Sequence, residues 1–265
     1  MYVESHILEA VMKLKEKVLA CLFDLKLKGV SEALVAQLAS TDYDDMDFLS
    51  RIDDLFVHES LYCKNRKLAN LQKLAKLRWP NASISGIDYA LHPSLKHAKI
   101  KELAQLNWVT NAHHIVITGA TGTGKTYIAC ALAKQAITEA IPVLYFRFSE
   151  LILNLIIAAK QDKMKLLRRK LLKTPLIIID DWGISPLSSV ERHLLFELIE
   201  GRDKNGSMII TSQYPIKAWY DAFQDPTIAD ATLDRIVHQT HEITLKGESI
   251  RKAIGMTEVL NEHST

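Results

Sequence analysis

Residues 5 to 28 place Leu8, Val11, Met12, Val18, Leu19, Leu22 and Leu25 at helical intervals among lysines and glutamates, with Gly29 following as a C-terminal stop. A second, shorter helix is predicted from Ser31 to Leu38. Asp42, Asp44, Asp45 and Asp47 have helix-start chemistry, and Phe48, Ile52, Leu55, Leu68, Leu71, Leu74 and Leu77 then predict one or two long helices. Pro80 ends the run, because the residue before a proline is pushed out of the helical region. The pattern predicts an all-helical domain over residues 1–80 that meets partners, DNA or further copies, and a linker over 81–98 that packs on the domain C-terminal to it.

From 99 to 265 the pattern changes to short apolar runs separated by helical stretches. Ile115-Val116-Ile117 is a strand followed by a glycine-rich loop and a helical run from Tyr127 to Ala140. Pro142 to Phe148 reads as a strand, and Ser149 with Glu150 starts a helix. Leu176 to Ile179 is a continuous apolar run, as expected of a central parallel strand covered on both faces. Ser188 and Glu191 form a capping box opening a helix to about Glu200; Ser207 to Thr211 and Glu242 to Leu245 complete the strands. Strands alternating with helices predict an α/β fold with a parallel sheet flanked by helices on both faces, preceded by the small helical domain.

Composition narrows the setting more than the chemistry. The 265 residues carry a formal net charge of +2, so global charge does not announce nucleic acid and any basic surface must be local. Cys21, Cys63 and Cys130 are widely spaced without a C-x-x-C pair, which fits reduced thiols in a cytoplasm better than a disulfide framework. The N-terminus has no cationic start followed by an apolar core, and no run approaches the ~20 apolar residues that span a bilayer. The expectation is a cytoplasmic protein with no membrane partner.

The candidate chemistry sits at two strand ends. Gly119, Ala120, Thr121, Gly122, Thr123, Gly124, Lys125 and Thr126 fit G-x-x-x-x-G-K-[ST] between a predicted strand and a predicted helix. The glycines let backbone N–H groups turn around a triphosphate, and the helix start adds the positive end of its dipole. Lys125 would neutralise β- and γ-phosphate oxygens, and Thr126 would offer its hydroxyl to Mg²⁺. Asp180 and Asp181 follow the apolar strand, at the sheet edge where open α/β folds bind ligands. Asp180 would hold Mg²⁺, directly or through water, and Asp181 would orient or deprotonate the attacking water. ATP and Mg²⁺ are the ligands this implies.

Two basic stretches have alternative readings. Lys64, Arg66, Lys67, Lys73, Lys76 and Arg78 form either a solvated helix face or a nucleic-acid or partner surface. Lys163, Lys165, Arg168, Arg169, Lys170 and Lys173, interleaved with Met164, Leu167 and Leu171, are the densest cationic face, suited to DNA, with a solvated face as the alternative. His238 and His241 have a metal-binding interval on a helix but no third ligand nearby, so a structural role is expected.

These residues resemble an AAA+ ATPase, and more narrowly the IstB-like helpers of bacterial insertion sequences, themselves similar to helicase loaders of the DnaC and DnaI kind. The resemblance spans nearly the whole chain and is most specific at Gly119 to Thr126, Ile177 to Gly183, Ile210 to Pro215, Asp225 to Arg235 and Lys246 to Arg251. It implies that Gln213 is the sensor-1 residue near the γ-phosphate, where many relatives have asparagine. Asp181 stands where a longer glutamate is common, which implies slow intrinsic hydrolysis. It makes Arg235 an arginine finger for a neighbouring subunit, with a plain surface arginine as the alternative. Arg251 resembles the sensor-2 arginine, though the chain leaves no room for a C-terminal lid domain. The resemblance implies a nucleotide-dependent homo-oligomer on double-stranded DNA that recruits and stimulates a cognate transposase, with hydrolysis driving disassembly. The alternative is a helicase loader on single strands.

Overall fold

The computed structural model describes residues 2–183, 186–247 and 249–250. The chain divides into two compact units, with the division between Asn70 and Leu71.

The first unit holds α1 (Tyr2–Asp24), α2 (Lys28–Ala39) and most of α3 (Phe48–Ala75). Its core is small: Val30, Ala33 and Leu55 are buried, with Leu22, Leu27, Leu34 and Ile52 against them. Gly29 is not the stop expected for α1. It lies in the first turn of α2, where a Cβ would come 2.7 Å from Glu59 Cα, so glycine permits close backbone approach. The Val30 N–H, one of the unpaired donors of that first turn, finds Glu59 Oε2 at 3.0 Å. Asp47 accepts from the N–H groups of Leu49 and Ser50, the capping role expected of the acidic stretch, and α3 runs as one helix.

The second unit begins at Leu71, before Pro80 is reached. Ala75, Leu77, Ala82, Ile87 and Leu95 all enter its core, so the end of α3 and the expected linker belong to this unit. Beyond Ala75 these residues are apolar at irregular intervals because they enter the core without forming one regular helix. After α4 (His97–Leu103) and α5 (Asn107–Thr110) come β1 (His114–Gly119), α6 (Lys125–Thr138), β2 (Val143–Arg147), α7 (Phe148–Lys160) and α8 (Met164–Lys173). Next are β3 (Leu176–Trp182), α9 (Ser189–Arg202), β4 (Ser207–Ser212), α10 (Ile216–Phe223), α11 (Pro226–Val237) and β5 (Thr240–Leu245). Ser188 and Glu191 form the predicted capping box at the start of α9.

Among the described residues the five strands are all parallel, in the order β2-β3-β4-β1-β5. Alternation along each strand divides the core in two. Ile115, Ile117, Tyr145, Ile178 and Ile209 face α6 and the 75–109 stretch, whereas Val116, Leu144, Ile177, Ile179 and Ile210 face the layer that includes α7, α9 and α10. Both faces are covered at the centre of the sheet, which is why Leu176–Ile179 and Met208–Ile210 are apolar without interruption, whereas the edge strand β5 carries the exposed Glu242. The order also sets the C-terminal ends of β1, β4 and β3 side by side. His238 caps α11 and pairs with Asp234, while His241 lies on β5 beside Lys99, and among the described residues no cluster could hold a metal through three His, Cys, Asp or Glu side chains.

Candidate nucleotide-binding site

The loop after β1 is shaped by its glycines and closed by its own lysine. Gly122 and Gly124 have φ of +84° and +83°, the left-handed region that side chains disfavour. Lys125 opens α6, is 5% exposed, and its Nζ donates to the carbonyls of Gly119 and Ala120 at 2.8 Å each. Thr123 Oγ1 also donates to the Ala120 carbonyl, and the Ile250 N–H donates to the Gly122 carbonyl at 3.0 Å. Thr121 Oγ1 donates to Gln213 Oε1 at 2.8 Å, tying the loop to the residue after β4. With amides at a helix start and a buried ammonium, the loop has the donors of an anion cradle.

Asp180 is fully buried and served by four side chains. Thr126 Oγ1 and Thr211 Oγ1 donate to Oδ1 at 2.8 and 2.5 Å. Tyr145 Oη donates to Oδ2 at 2.7 Å, and Arg78 Nη1 lies 3.7 Å from the same oxygen. Burial and the neighbouring carboxylate raise the Tyr145 phenol well above its ordinary range.

Asp181 faces elsewhere because the strand bulges beneath it. Ile179 pairs with Ile210 and Trp182 with Ser212, so Asp180 and Asp181 oppose Thr211 alone. Asp181 takes φ +61° and its N–H donates to Thr211 Oγ1 at 3.0 Å. Trp182 anchors the far side of the bulge, 1% exposed, between the rings of Phe148 and Trp219. The extra residue re-aims Asp181 into a cavity. Partial burial raises its carboxyl above the ordinary value and the Asp180 charge adds to this, while Arg78, Lys125 and Arg147 oppose it.

That cavity, about 600 Å³, brings together Thr121, Gly122, Gly124, Lys125, Thr126, Asp181 and Gln213. Its remaining wall comes from residues outside the glycine-rich loop and the aspartate pair. Arg78 and Arg147 add cations, and Trp79, Ile87, Leu91, Tyr127 and Ile250 form an apolar side with His92. Arg78, in sequence one of the cations of the first basic stretch, faces Asp180 instead.

Similarity to known proteins extends over most of the chain. The family described as IstB-like ATP binding protein matches residues 20–256. An insertion-sequence ATP-binding protein of Sinorhizobium fredii is 36% identical over 226 residues, covering 85% of this chain and 92% of its own. The chain belongs to the IstB-like ATP-binding family. A second relative, from an insertion sequence of Pseudomonas fluorescens, is 34% identical and covers 74% of this chain and 85% of its own. The fold, a parallel five-stranded sheet flanked by helices, is shared with solved proteins. The crystal structure of the DnaC helicase loader superposes with a TM-score of 0.55 at 21% identity, covering 64% of this chain and 99% of its own. The replication initiator DnaA bound to AMPPCP and single-stranded DNA gives a TM-score of 0.55 at 17% identity, covering 65% and 52%.

In this IstB-like chain Arg235 and the α8 cations are not among the described residues that line the cavity. Arg235, on α11, donates to the Ala231 carbonyl at 2.6 Å, lies 3.4 Å from Glu200 Oε1 and stacks 5.4 Å from the centroid of Phe196. Arg251 falls outside the described residues. Lys163, Lys165, Arg168, Arg169, Lys170 and Lys173 lie at or along α8, where Leu171 is buried beneath them. Arg168 lies 3.4 Å from Glu197 of α9.

Proposed function

We propose that this protein binds ATP with Mg²⁺ in the cavity beside Lys125, hydrolyses it to ADP and phosphate, and acts as an ATP-dependent DNA-binding helper of transposition. The observation that carries this reading is the meeting of three strand ends: the loop after β1, the Asp180–Asp181 pair of β3 and Gln213 after β4 border one cavity or its floor. Phosphates would lie on the amides of residues 121–126 and on Lys125. The base would lie against Trp79, Ile87, Leu91, Tyr127 and Ile250, the apolar part of the wall.

The donor set fits Mg²⁺. The Thr126 hydroxyl and the Asp180 carboxylate are hard oxygen donors 2.8 Å apart, and a magnesium ion bound with a nucleotide typically takes one or two such groups along with phosphate oxygens and water. When bound, the ion would neutralise charge developing on the β- and γ-oxygens. Asp181 would accept the proton of the water that attacks the γ-phosphorus, as the bond to the β–γ bridging oxygen breaks. Its raised pKa makes Asp181 a stronger base than an ordinary aspartate. Gln213, fixed by Thr121, would orient that water or touch the γ-phosphate.

Arg235 is partly buried on the α9–α11 surface and, among the described residues, is not part of its own chain's cavity lining, which supports its use by a neighbouring copy. Such a finger is worth ~10³ to 10⁵ in rate, so hydrolysis would depend on assembly. The α8 cations would meet the DNA backbone. No aromatic residue lies among them, which favours a duplex over stacked single strands. The named relatives belong to insertion sequences, and the partner inferred from that setting is the cognate transposase, with hydrolysis dissolving the assembly.

The deciding experiment is a mobility shift on duplex and single-stranded DNA of equal length, with ATP, with ADP and without nucleotide, repeated with Lys125→Ala. ATP-dependent, cooperative duplex binding lost in Lys125→Ala is the expected result. Preference for single strands, or binding only with a ring helicase present, would move the reading to a helicase loader. Unchanged duplex binding by Lys125→Ala would overturn the ATP-dependent mechanism.

A further inference from the structure

Arg78 belongs to no nucleotide-binding motif, yet it lines the same cavity as Lys125, Thr126 and Asp181 and lies 3.7 Å from Asp180 Oδ2. Its backbone is held firmly for a residue outside any regular element. Leu77 and Ala82 on either side are buried, Trp79 packs edge-on against Tyr127 of α6, and the Arg78 and Trp79 backbone faces the Cys130 thiol of α6. The helix that begins with the phosphate loop therefore also fixes this arginine. Its side chain keeps 31% exposure toward the cavity, so it can reach a ligand there.

The two oxygens of Asp180 are served differently. Oδ1 faces the hydroxyls of Thr126 and Thr211, on the side of the phosphate loop; Oδ2 faces Tyr145 and the guanidinium. A fully buried carboxylate needs a compensating positive charge, and Arg78 supplies one within ion-pair distance, from the side away from the Thr126 hydroxyl.

Resting on the ATP-binding reading above, we infer that Arg78 is a positioning residue that substitutes for the divalent cation: it balances Asp180 and draws nucleotide phosphates when no Mg²⁺ is bound, and cedes part of that role when the ion binds. Mg²⁺ on the Oδ1 side would supply the charge that Arg78 otherwise supplies from the Oδ2 side. The wild-type protein should accordingly bind nucleotide appreciably in chelator, and removing Arg78 should make binding depend steeply on the metal. A residue that only supported the fold, or only touched phosphate, would weaken binding equally in both conditions.

The test is equilibrium binding of a fluorescent ATP analogue to the full chain, in excess chelator and in millimolar Mg²⁺, for wild type, Arg78→Gln and Arg78→Lys. Arg78→Gln is expected to raise Kd by roughly tenfold or more in chelator, the loss of one charged contact, and by no more than about threefold in Mg²⁺. Arg78→Lys keeps the charge and should recover most of the chelator affinity. Equal losses in both conditions, or none in either, would overturn the inference while leaving the ATP-binding reading intact. Failure of the wild type to bind in either condition would overturn that reading itself. If Arg78→Gln does not fold, Asp180→Asn compared with Asp180→Asn/Arg78→Gln gives the same test without an uncompensated buried carboxylate, and loss of Arg78 must still weaken binding in chelator.

Discussion

Tyr145 Oη donates to Asp180 Oδ2 at 2.7 Å, from a strand whose own register partner for Asp180 is Arg147, two residues on. The alternation of β2 places Tyr145 and Arg147 on the same face, so the phenol reaches along the strand to the carboxylate. Tyr145→Phe deletes only that oxygen. Its loss leaves one lone pair of a fully buried carboxylate short of a donor, a cost of about 1–3 kcal/mol. Chemical denaturation of the second unit should show a lower midpoint with an unchanged slope. A shift below ~0.5 kcal/mol would mean that the other partners already satisfy Oδ2.

Asp181 yields a pH-dependent prediction of defined sign. Its carboxyl is raised above the ordinary aspartate value by burial and by Asp180, so ionisation is harder in the folded protein than in the unfolded chain. The stability attached to its protonated form is complete below the unfolded value and is lost as pH rises through the higher folded value. Asp181→Asn cannot ionise and escapes that loss. Melting temperatures of the variant and wild type should coincide in acid, with the variant becoming more stable as pH rises toward neutrality. The same variant should lose hydrolysis. A variant less stable than wild type at neutral pH would contradict the desolvation account.

Local pattern reveals elements and motif residues, and register supplies the rest. The glycine-rich loop, the apolar strand before Asp180 and the capping box at Ser188 are each written in a short consecutive stretch, so they are legible in the sequence. The split between the two aspartates is not. It depends on a bulge opposite Thr211, and no feature of Ile-Asp-Asp-Trp specifies which residue takes φ +61°. Tyr145 and Thr211 reach Asp180 from 35 and 31 residues away through strand order, and Arg78 reaches it through the packing of the 77–82 stretch, which precedes the first strand. Gly29 misleads in a related way, because a glycine that permits helix contact looks the same in sequence as one that ends a helix.

Arg202 is 1% exposed at the end of α9, and among the described residues no carboxylate forms an ion pair with it. Its guanidinium donates to the carbonyls of Leu171, Thr174, Pro175 and Ser207, joining the end of α8 to the starts of β3 and β4. Burial lowers its pKa to about 10, which leaves it charged at neutral pH. Arg202→Leu would take a charged donor from four carbonyls, of which Pro175 keeps the Ser207 N–H, and should destabilise the second unit by at least about 3 kcal/mol. Arg202→Lys, with a single head in place of a planar fork, should recover only part of this. Hydrogen exchange should show the loss first at the C-terminal turn of α8. Uniform exchange across the unit would mean that Arg202 supports the fold without a specific hold on that helix.

Glu197 offers the most discriminating test of the α8 face. The proposed DNA contacts at Lys165, Arg169 and Lys170 are exposed, so their replacement by alanine should change stability by no more than ~0.5 kcal/mol. Each one that meets a phosphate should lower the slope of log affinity against log salt by about 0.9. Arg168 differs, because Glu197 lies 3.4 Å from it and competes with DNA for the same guanidinium. Glu197→Gln removes that competitor and a negative charge from the neighbouring helix. An exposed pair of this kind contributes little to folding, so stability should hardly move. Duplex affinity should rise and its salt dependence steepen, and both gains should vanish when Arg168→Ala is added. If Glu197→Gln leaves binding unchanged while Arg169→Ala weakens it, DNA crosses α8 on the side away from α9. If neither variant alters the salt slope, α8 is a solvated face and the duplex lies elsewhere on the protein.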